Sequence, residues 1–508
     1  MERNAFRLLC VWGVLAGSHA AAQPLGSSLP PTVDHPNPYS VTGVAAAKRF
    51  FNLASTRRVD LCIIADSNGR LGASGSGHED QMARVYAARF GMYATRVDPS
   101  SPTEQYGTPT TGQGGALAPP FMPGGPADAL ALPAPSFPFA FGFIDQGAAV
   151  ASTYNYGTVV RPDNPVDITS NLRFHFTHWL FGPGAPGVLY VSARPAWPDS
   201  SFPNYASMGP ISTASNAEGT EDRSLDIPAG PRSSYGINVA PADAASSLAS
   251  TGPLNLLWNR FENVGRTTGI GYSPLWINGG KSARYTLNEL QTLPVHDGII
   301  EWFRQATRLQ NGPAVLLVHI MHGGNDTADH SPSLGPIGGF DSVSQAGHED
   351  NLRGIINALR GWWVESGRDP ANLFFQLGPY HPRPEWPIQL FFEQAGRNIA
   401  ASDPQVIAIA GNRLSTSNEF ADRGFLYDND PYHLSYAGFH AWSTTMMRAL
   451  DAAICPGDFN QDHVLSVQDI FDFINAWFEG RPTADFNFSG GRESQDIFDF
   501  IAAWFVGC

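Results

Sequence analysis

Charge is scarce in this sequence. Asp, Glu, Lys and Arg make up only 15% of 508 residues, and the basic side chains are the scarcer: 31 Lys and Arg face 46 Asp and Glu, for a net charge of −15 at pH 7. No cluster of Lys and Arg stands anywhere in the chain, which excludes the phosphate-contacting surface that nucleic acid requires. Long apolar runs are missing as well. The one near the start, Leu8 to Gly17, is too short to span a bilayer. With four cysteines in all, the chain is no disulfide-dense mini-scaffold. What it has instead is glycine (52), proline (41) and 43% apolar residues. That composition describes a turn-rich globular protein long enough for several domains. An acidic surface suits Ca²⁺ or neutral substrates such as glycans.

The first residues predict an export signal over 1–22. Arg3 and Arg7 precede the apolar core, and Ala20-Ala21-Ala22 before Gln23 supplies an A-x-A cleavage site. The expected destination is extracellular or the cell surface, with no membrane span. Cys10 leaves with the signal, and Cys62 sits in an apolar run as a buried free thiol. Cys455 and Cys508 bracket the last segment, a natural disulfide in an oxidising compartment.

Along the chain, Val59 to Ala65 is a compact apolar run of the kind that forms a buried parallel strand, and a helical stretch follows from Glu79 to Phe90. From residue 99 to 274 the pattern alternates: Leu172 to Leu180 and Gly187 to Ser192 read as strands between Pro/Gly turns, giving a mostly β insertion. After 275 strands and helices alternate again. Strand runs at Ala314–Ile320, Asn372–Leu377 and Gln405–Ala410 are interleaved with helical stretches at 299–309, 349–365, 388–401 and 436–453. That rhythm implies a parallel sheet covered on both faces, with chemistry beyond the carboxyl ends of its strands.

Three blocks fall where such chemistry belongs. Ala65-Asp66-Ser67-Asn68 follows the first strand, Gly323-Gly324-Asn325-Asp326 follows the second, and Asp430-Pro431-Tyr432-His433 precedes the last helix. Singly they read as a helix cap, a turn and a surface pair. Together they offer a nucleophile, a donor to an oxyanion, and a base with its carboxylate. The chain here resembles the SGNH (GDSL-like) hydrolase superfamily, with Ala65 in place of that family's leading glycine. The resemblance implies a three-layer αβα, flavodoxin-like domain built from 23–98 and 275–454. It makes Ser67 the nucleophile, His433 the base and Asp430 its orienting partner, with Asp428 as alternative. Asn325 and a backbone glycine would hold the oxyanion. The glycine is Gly280, Gly279 being second choice; Gly112–Gly115 offers a rival in a low-complexity loop.

The last segment, 455–508, repeats at 27-residue spacing. Asp458, Asn460, Asp462, Ser466 and Asp469 occupy positions 1, 3, 5, 9 and 12 of a loop that leads into a helix, and Asp485, Asn487, Ser489, Glu493 and Asp496 do so again. Five oxygen side chains at those positions are what Ca²⁺ asks of an EF-hand-type loop. Asp at position 12 resembles the dockerin family, which pairs two such units and implies structural Ca²⁺ and a protein partner. His463 stands where such loops usually place glycine. The function expected is a secreted esterase acting on carboxylic esters of carbohydrates, acetyl esters among them, with no cofactor for catalysis. The alternatives are a carbohydrate O-acetyltransferase and a non-catalytic surface or scaffold protein.

Overall fold

The computed structural model describes residues 38–65, 78–95, 156–160, 171–180, 188–195, 206–212, 219–228, 235–240, 256–272, 283–291, 293–323, 326, 344–378, 389–411, 414, 422–427, 430–487 and 489–508. Ten strands form one sheet. In spatial order they are β1 (Val41–Thr42), β14 (Val406–Ile409), β13 (Leu373–Leu377), β12 (Leu316–Met321), β2 (Arg58–Ala65), β11 (Gly269–Tyr272), β3 (Met92–Thr95), β10 (Leu256–Asn263), β5 (Leu172–Leu180) and β8 (Gly219–Ile227). Neighbours from β14 to β3 run parallel, while β1 at one edge and β10, β5 and β8 at the other are antiparallel.

Strands this apolar need cover on both faces. On one face α1 (Val44–Thr56), α2 (His78–Phe90) and α7 (Tyr436–Ile454) bury Leu61, Ile63 and Leu317. On the other α3 (Ala283–Leu290), α4 (Leu293–Thr307), α5 (Gln345–Glu365) and α6 (Gln389–Ser402) bury Cys62, Ile64 and Val318. Trp442 of α7 and Trp363 of α5 are the largest fully buried side chains of their layers. The parallel αβα expectation and its four strands therefore stand. Without β11 the parallel strands would follow the flavodoxin-like order, β3-β2-β12-β13-β14. The chain steps from β2 to β3 on one side and later to β12 on the other, so the topological switch point lies between the carboxyl ends of β2 and β12.

Among the described residues, the segment 99–274, read from the sequence as a mostly β insertion, divides between two sheets. There β4 (Tyr156–Val160), β9 (Tyr235–Ala240), β6 (Val188–Pro195) and β7 (Ala206–Ser212) form a separate antiparallel sheet. β5, β8 and β10 extend the main sheet, and β11 is wedged between β2 and β3. A buried polar network accounts for the union. Arg260 on β10 passes over β11 to ion-pair with Asp60 on β2, and both side chains are fully buried. Tyr93 Oη donates to Asp60 Oδ2 at 2.8 Å and Gln310 Nε2 does so at 2.5 Å. Arg260 also caps the end of α4 through the Ala306 carbonyl, a favourable seat for a cation. Gly271 on β11 makes the crossing possible, since a Cβ there would overlap Arg260, Asp60 and Tyr93.

The C-terminal segment is two loop-helix units carrying α8 (Val467–Glu479) and α9 (Ser494–Val506). Phe473 and Phe500 stack between them with ring centroids 4.3 Å apart, and Ile470, Ile474, Trp477, Ile497, Ile501 and Trp504 pack around that pair. Trp504 Nε1 donates to the Ser466 carbonyl at 2.8 Å, and Trp477 Nε1 donates to the Glu493 carbonyl at 3.3 Å. Each helix thus holds the ninth position of the other unit's loop. Cys455 and Cys508 are joined in a disulfide, and Cys62 is buried and in no disulfide, as their sequence contexts predict. No helix among the described residues is long and apolar enough to cross a membrane.

Candidate active site and paired loops

Ser67, Gly279, Gly280, Asn325, Asp428 and Gly112–Gly115 lie outside the described residues. Asp430 and His433 are described in their backbone, as the ends of β16 (Asp430–Leu434), which pairs with β15 (Leu426–Tyr427). The elements that flank these residues are well defined. β2 and β12 are parallel neighbours in a register that pairs Ala65 with Met321. Ser67 follows by two residues and Asn325 by four, from the same end of adjacent strands.

Asp326, one residue beyond Asn325, is fully buried. Its carboxylate accepts from Ala283 N, with Oδ1 at 3.2 Å and Oδ2 at 3.3 Å. Ala283 opens α3 and stands three residues after Gly280. The two blocks expected to hold an oxyanion are therefore tied together by one carboxylate. His348 Nδ1 on α5 reaches Asp326 Oδ1 at 3.3 Å. Burial alone would raise the Asp326 carboxyl, but His348, His322 and the Ala283 N–H together hold it below its ordinary value.

The third block joins through the helices. Ser435 caps α7, its Oγ accepting from Gly438 N at 3.2 Å. His440 Nδ1, in the first turns of α7, meets Gln81 Oε1, in the first turn and a half of α2, at 3.1 Å. α2 begins downstream of Ser67 and α7 just downstream of His433. The starts of α2 and α7 therefore adjoin.

Beside Gly323 a pocket opens that sequence reasoning missed. His322 and His348 line it together with Ile320, Leu352, Leu377 and Phe392. His322 directly precedes the Gly323–Asp326 block, and that adjacency is the only sequence signal for it. Burial, outweighing the pull of Asp326, lowers the His322 imidazole to about 4. His319, one turn of strand earlier, is lowered to about 3 by burial alone; its Nδ1 lies 2.9 Å from Gln376 Nε2.

In the paired loops, equivalent positions do equivalent work. His463 N donates to Asp458 Oδ2 and Gly490 N to Asp485 Oδ2, each at 2.9 Å. Position 12 accepts from position 3 and from position 9 in both loops: Asp469 from Asn460 N and Ser466 N, Asp496 from Asn487 N and Glu493 N. Position 6 turns through positive φ in both, +71° at His463 and +95° at Gly490. Among the described residues no group of three or more His, Cys, Asp and Glu is disposed to hold a metal ion. The loops draw on Asn and Ser oxygens too, and Asp458 Oδ1 is buried with no hydrogen-bond partner. A buried, unpartnered carboxylate oxygen at the first position fits a cation. Burial raises the Asp458 carboxyl, and the nearby charges of Asp469 and Asp462 raise it further.

No family model matches the chain, and no curated protein matches it. Among solved structures, the lipase Lip_vut3 from a goat rumen metagenome is 14% identical, covers 36% of this chain and 79% of its own, and has a TM-score of 0.23. A family two carbohydrate esterase from Cellvibrio japonicus is 8% identical, with 60% and 93% covered and a TM-score of 0.24. A carbohydrate esterase family 2 enzyme with its carbohydrate binding domain, from Corynascus thermopiles, is 15% identical, with 62% and 99% covered and a TM-score of 0.23. Similarity this slight carries none of the argument, which stands on the residues and their geometry.

Proposed function

We propose that the chain is a secreted serine esterase of SGNH type, cleaving carboxylic esters borne on carbohydrates. Ser67 attacks the ester carbonyl, and His433 takes its proton and returns it to the leaving alcohol. Asp430 orients the imidazole and stabilises its charged form. The Ser67 and Gly280 N–H groups and the Asn325 amide receive the oxyanion. The observation that carries this reading is the Asp326 carboxylate. It bonds the N-terminus of α3, beside the Gly280 block, from a position adjacent to Asn325. A carboxylate that ties two blocks distant in sequence, near the switch point of a parallel sheet, supports an oxyanion site there.

The signal-like N-terminus supports export. The repeated loops support structural Ca²⁺, held by Asp458, Asn460, Asp462, Ser466 and Asp469 in one unit and by Asp485, Asn487, Ser489, Glu493 and Asp496 in the other. A bound cation there would neutralise clustered carboxylates and lock each loop to its helix. The dockerin-like module would then present its exposed phenylalanines Phe471, Phe478, Phe498 and Phe505 to a protein partner. Hydrolysis of aryl acetates and acetylated xylan by wild type, Ser67→Ala and His433→Ala tests the catalytic reading. The variants should lose roughly four to six orders of magnitude in kcat while keeping the wild-type circular dichroism. A folded Ser67→Ala protein with wild-type turnover would refute it.

A further inference from the structure

Two features of the pocket beside Gly323 have no structural use. The first is His322. It is only 7% exposed, and neither ring nitrogen has a hydrogen-bond partner among the described residues. A buried donor left unmade is destabilising. The second is Gly396, midway along α6, where glycine is a poorer helix former than alanine. Close packing usually explains such a glycine, but here it does not. A Cβ at 396 would sit 3.7 Å from the side chains of Ala408 and Leu377, an ordinary contact. What the missing methyl leaves is space, and that space belongs to the same pocket, which has about 490 Å³ of empty volume including its mouth.

We propose that this pocket is a specificity site for a short hydroxyacyl group, whose alkyl carbons lie against Ile320, Leu352, Leu377 and Phe392 and whose hydroxyl hydrogen-bonds His322. The inference rests on the esterase reading for the word acyl: Gly323 lines the pocket, and the block to which that reading assigns the oxyanion continues from it in the sequence. The rest follows from the walls. They are apolar apart from the imidazoles of His322 and His348 and the Glu393 carboxylate, so a plain alkyl chain would leave His322 unpaired. An anionic group would have to approach Asp326, one of the charges acting on His322, and Glu393. A neutral hydroxyl can give or take the bond in either tautomer of the ring.

The test compares isosteres. Ethyl lactate and ethyl isobutyrate differ by hydroxyl against methyl, as do the non-hydrolysable lactamide and isobutyramide. The mature full-length protein should hydrolyse the lactate with about tenfold to hundredfold higher kcat/KM. His322→Leu should bring that ratio to within about twofold, and His322→Gln, which keeps a donor and an acceptor, should retain most of it. Gly396→Leu should lower both rates. Lactamide, but not isobutyramide, should shift the His322 imidazole ¹⁵N resonances. If esters are cleaved with a ratio near one in wild type, the pocket proposal is wrong and the esterase reading survives. If neither these esters nor aryl acetates are cleaved yet lactamide still moves His322, the pocket binds such groups and the esterase reading is wrong. Silence in both measurements overturns the proposal.

Discussion

Gly271 lets a guanidinium on one strand reach a carboxylate three strands away, and a single methyl tests that arrangement. A Cβ at 271 would overlap Arg260, Asp60 and Tyr93, none of which has room to retreat from the interior. Gly271→Ala should therefore destabilise the fold by about 3–5 kcal/mol, the cost of breaking a buried ion pair, as read by urea unfolding. Gly265→Ala is the control, because it faces only the Asn263 side chain at 3.6 Å, and should change little. Asp326 is the other residue whose partners decide more than its own block. Its neighbour Asn325 should act mainly on the transition state, so Asn325→Ala should lower kcat about 10²–10³-fold with little change in KM. Equal losses in binding and turnover would make Asn325 a structural residue. The blocks of Ser67, Asn325, Asp430 and His433 read as a set because in the sequence each follows a strand run or precedes a helical stretch. His322 was not, since nothing in its sequence context separates an unpartnered imidazole from a satisfied one.

Among the elements, those with apolar runs of full strand length were legible: β2, β12, β13 and β14. β3 and β11 were not. Each is four residues long, and β11 carries two glycines, which ordinarily argue against a strand. The Asp60–Arg260 ion pair spans both, a tertiary contact with no local signature. Nor does the sequence carry a signal that β5, β8, β10 and β11 of the β-rich segment join the main sheet. The C-terminal repeat was more transparent, because its period fixes equivalent loop positions and helix faces together. There His463 adopts φ +71° as a non-glycine residue, which costs about 1 kcal/mol. His463→Gly should raise the thermal stability of the Ca²⁺-loaded module in its full-length chain and tighten the weaker of two Ca²⁺ affinities by calorimetry. Unchanged affinities would mean that the first loop binds no ion. Reducing the Cys455–Cys508 bond, which closes a separation of 53 residues, should cost about 4 kcal/mol in the same unfolding step.

At the scale of the molecule, buried imidazoles set an acid limit. His319 and His322 are depressed by burial to about 3 and about 4, from an ordinary 6.5. The unfolded chain therefore binds more protons than the native one below pH 6.5. Stability is full above that value and falls as the pH drops, for His322 until about 4 and for His319 until about 3. Each contributes a slope of up to about 1.4 kcal/mol per pH unit in that window. Glu262 adds a lower window: burial alone would raise it, but His175 and Arg58 bring it to about 2, so its contribution is present above 4.5 and lost toward 2. Urea unfolding at pH 7 and pH 5 should show the loss, and His322→Gln should lessen it. A flat profile would mean that these histidines are not buried neutral.

Everything functional in this account depends on Ser67 being a nucleophile activated by His433. A fluorophosphonate probe reports that property directly, because it phosphonylates only an activated serine. Incubated with the full-length protein and mapped by peptide mass spectrometry, it should form one adduct, on Ser67. His433→Ala should abolish that adduct while the protein stays folded. No adduct on the folded wild type, or an adduct on a different serine, would contradict the account.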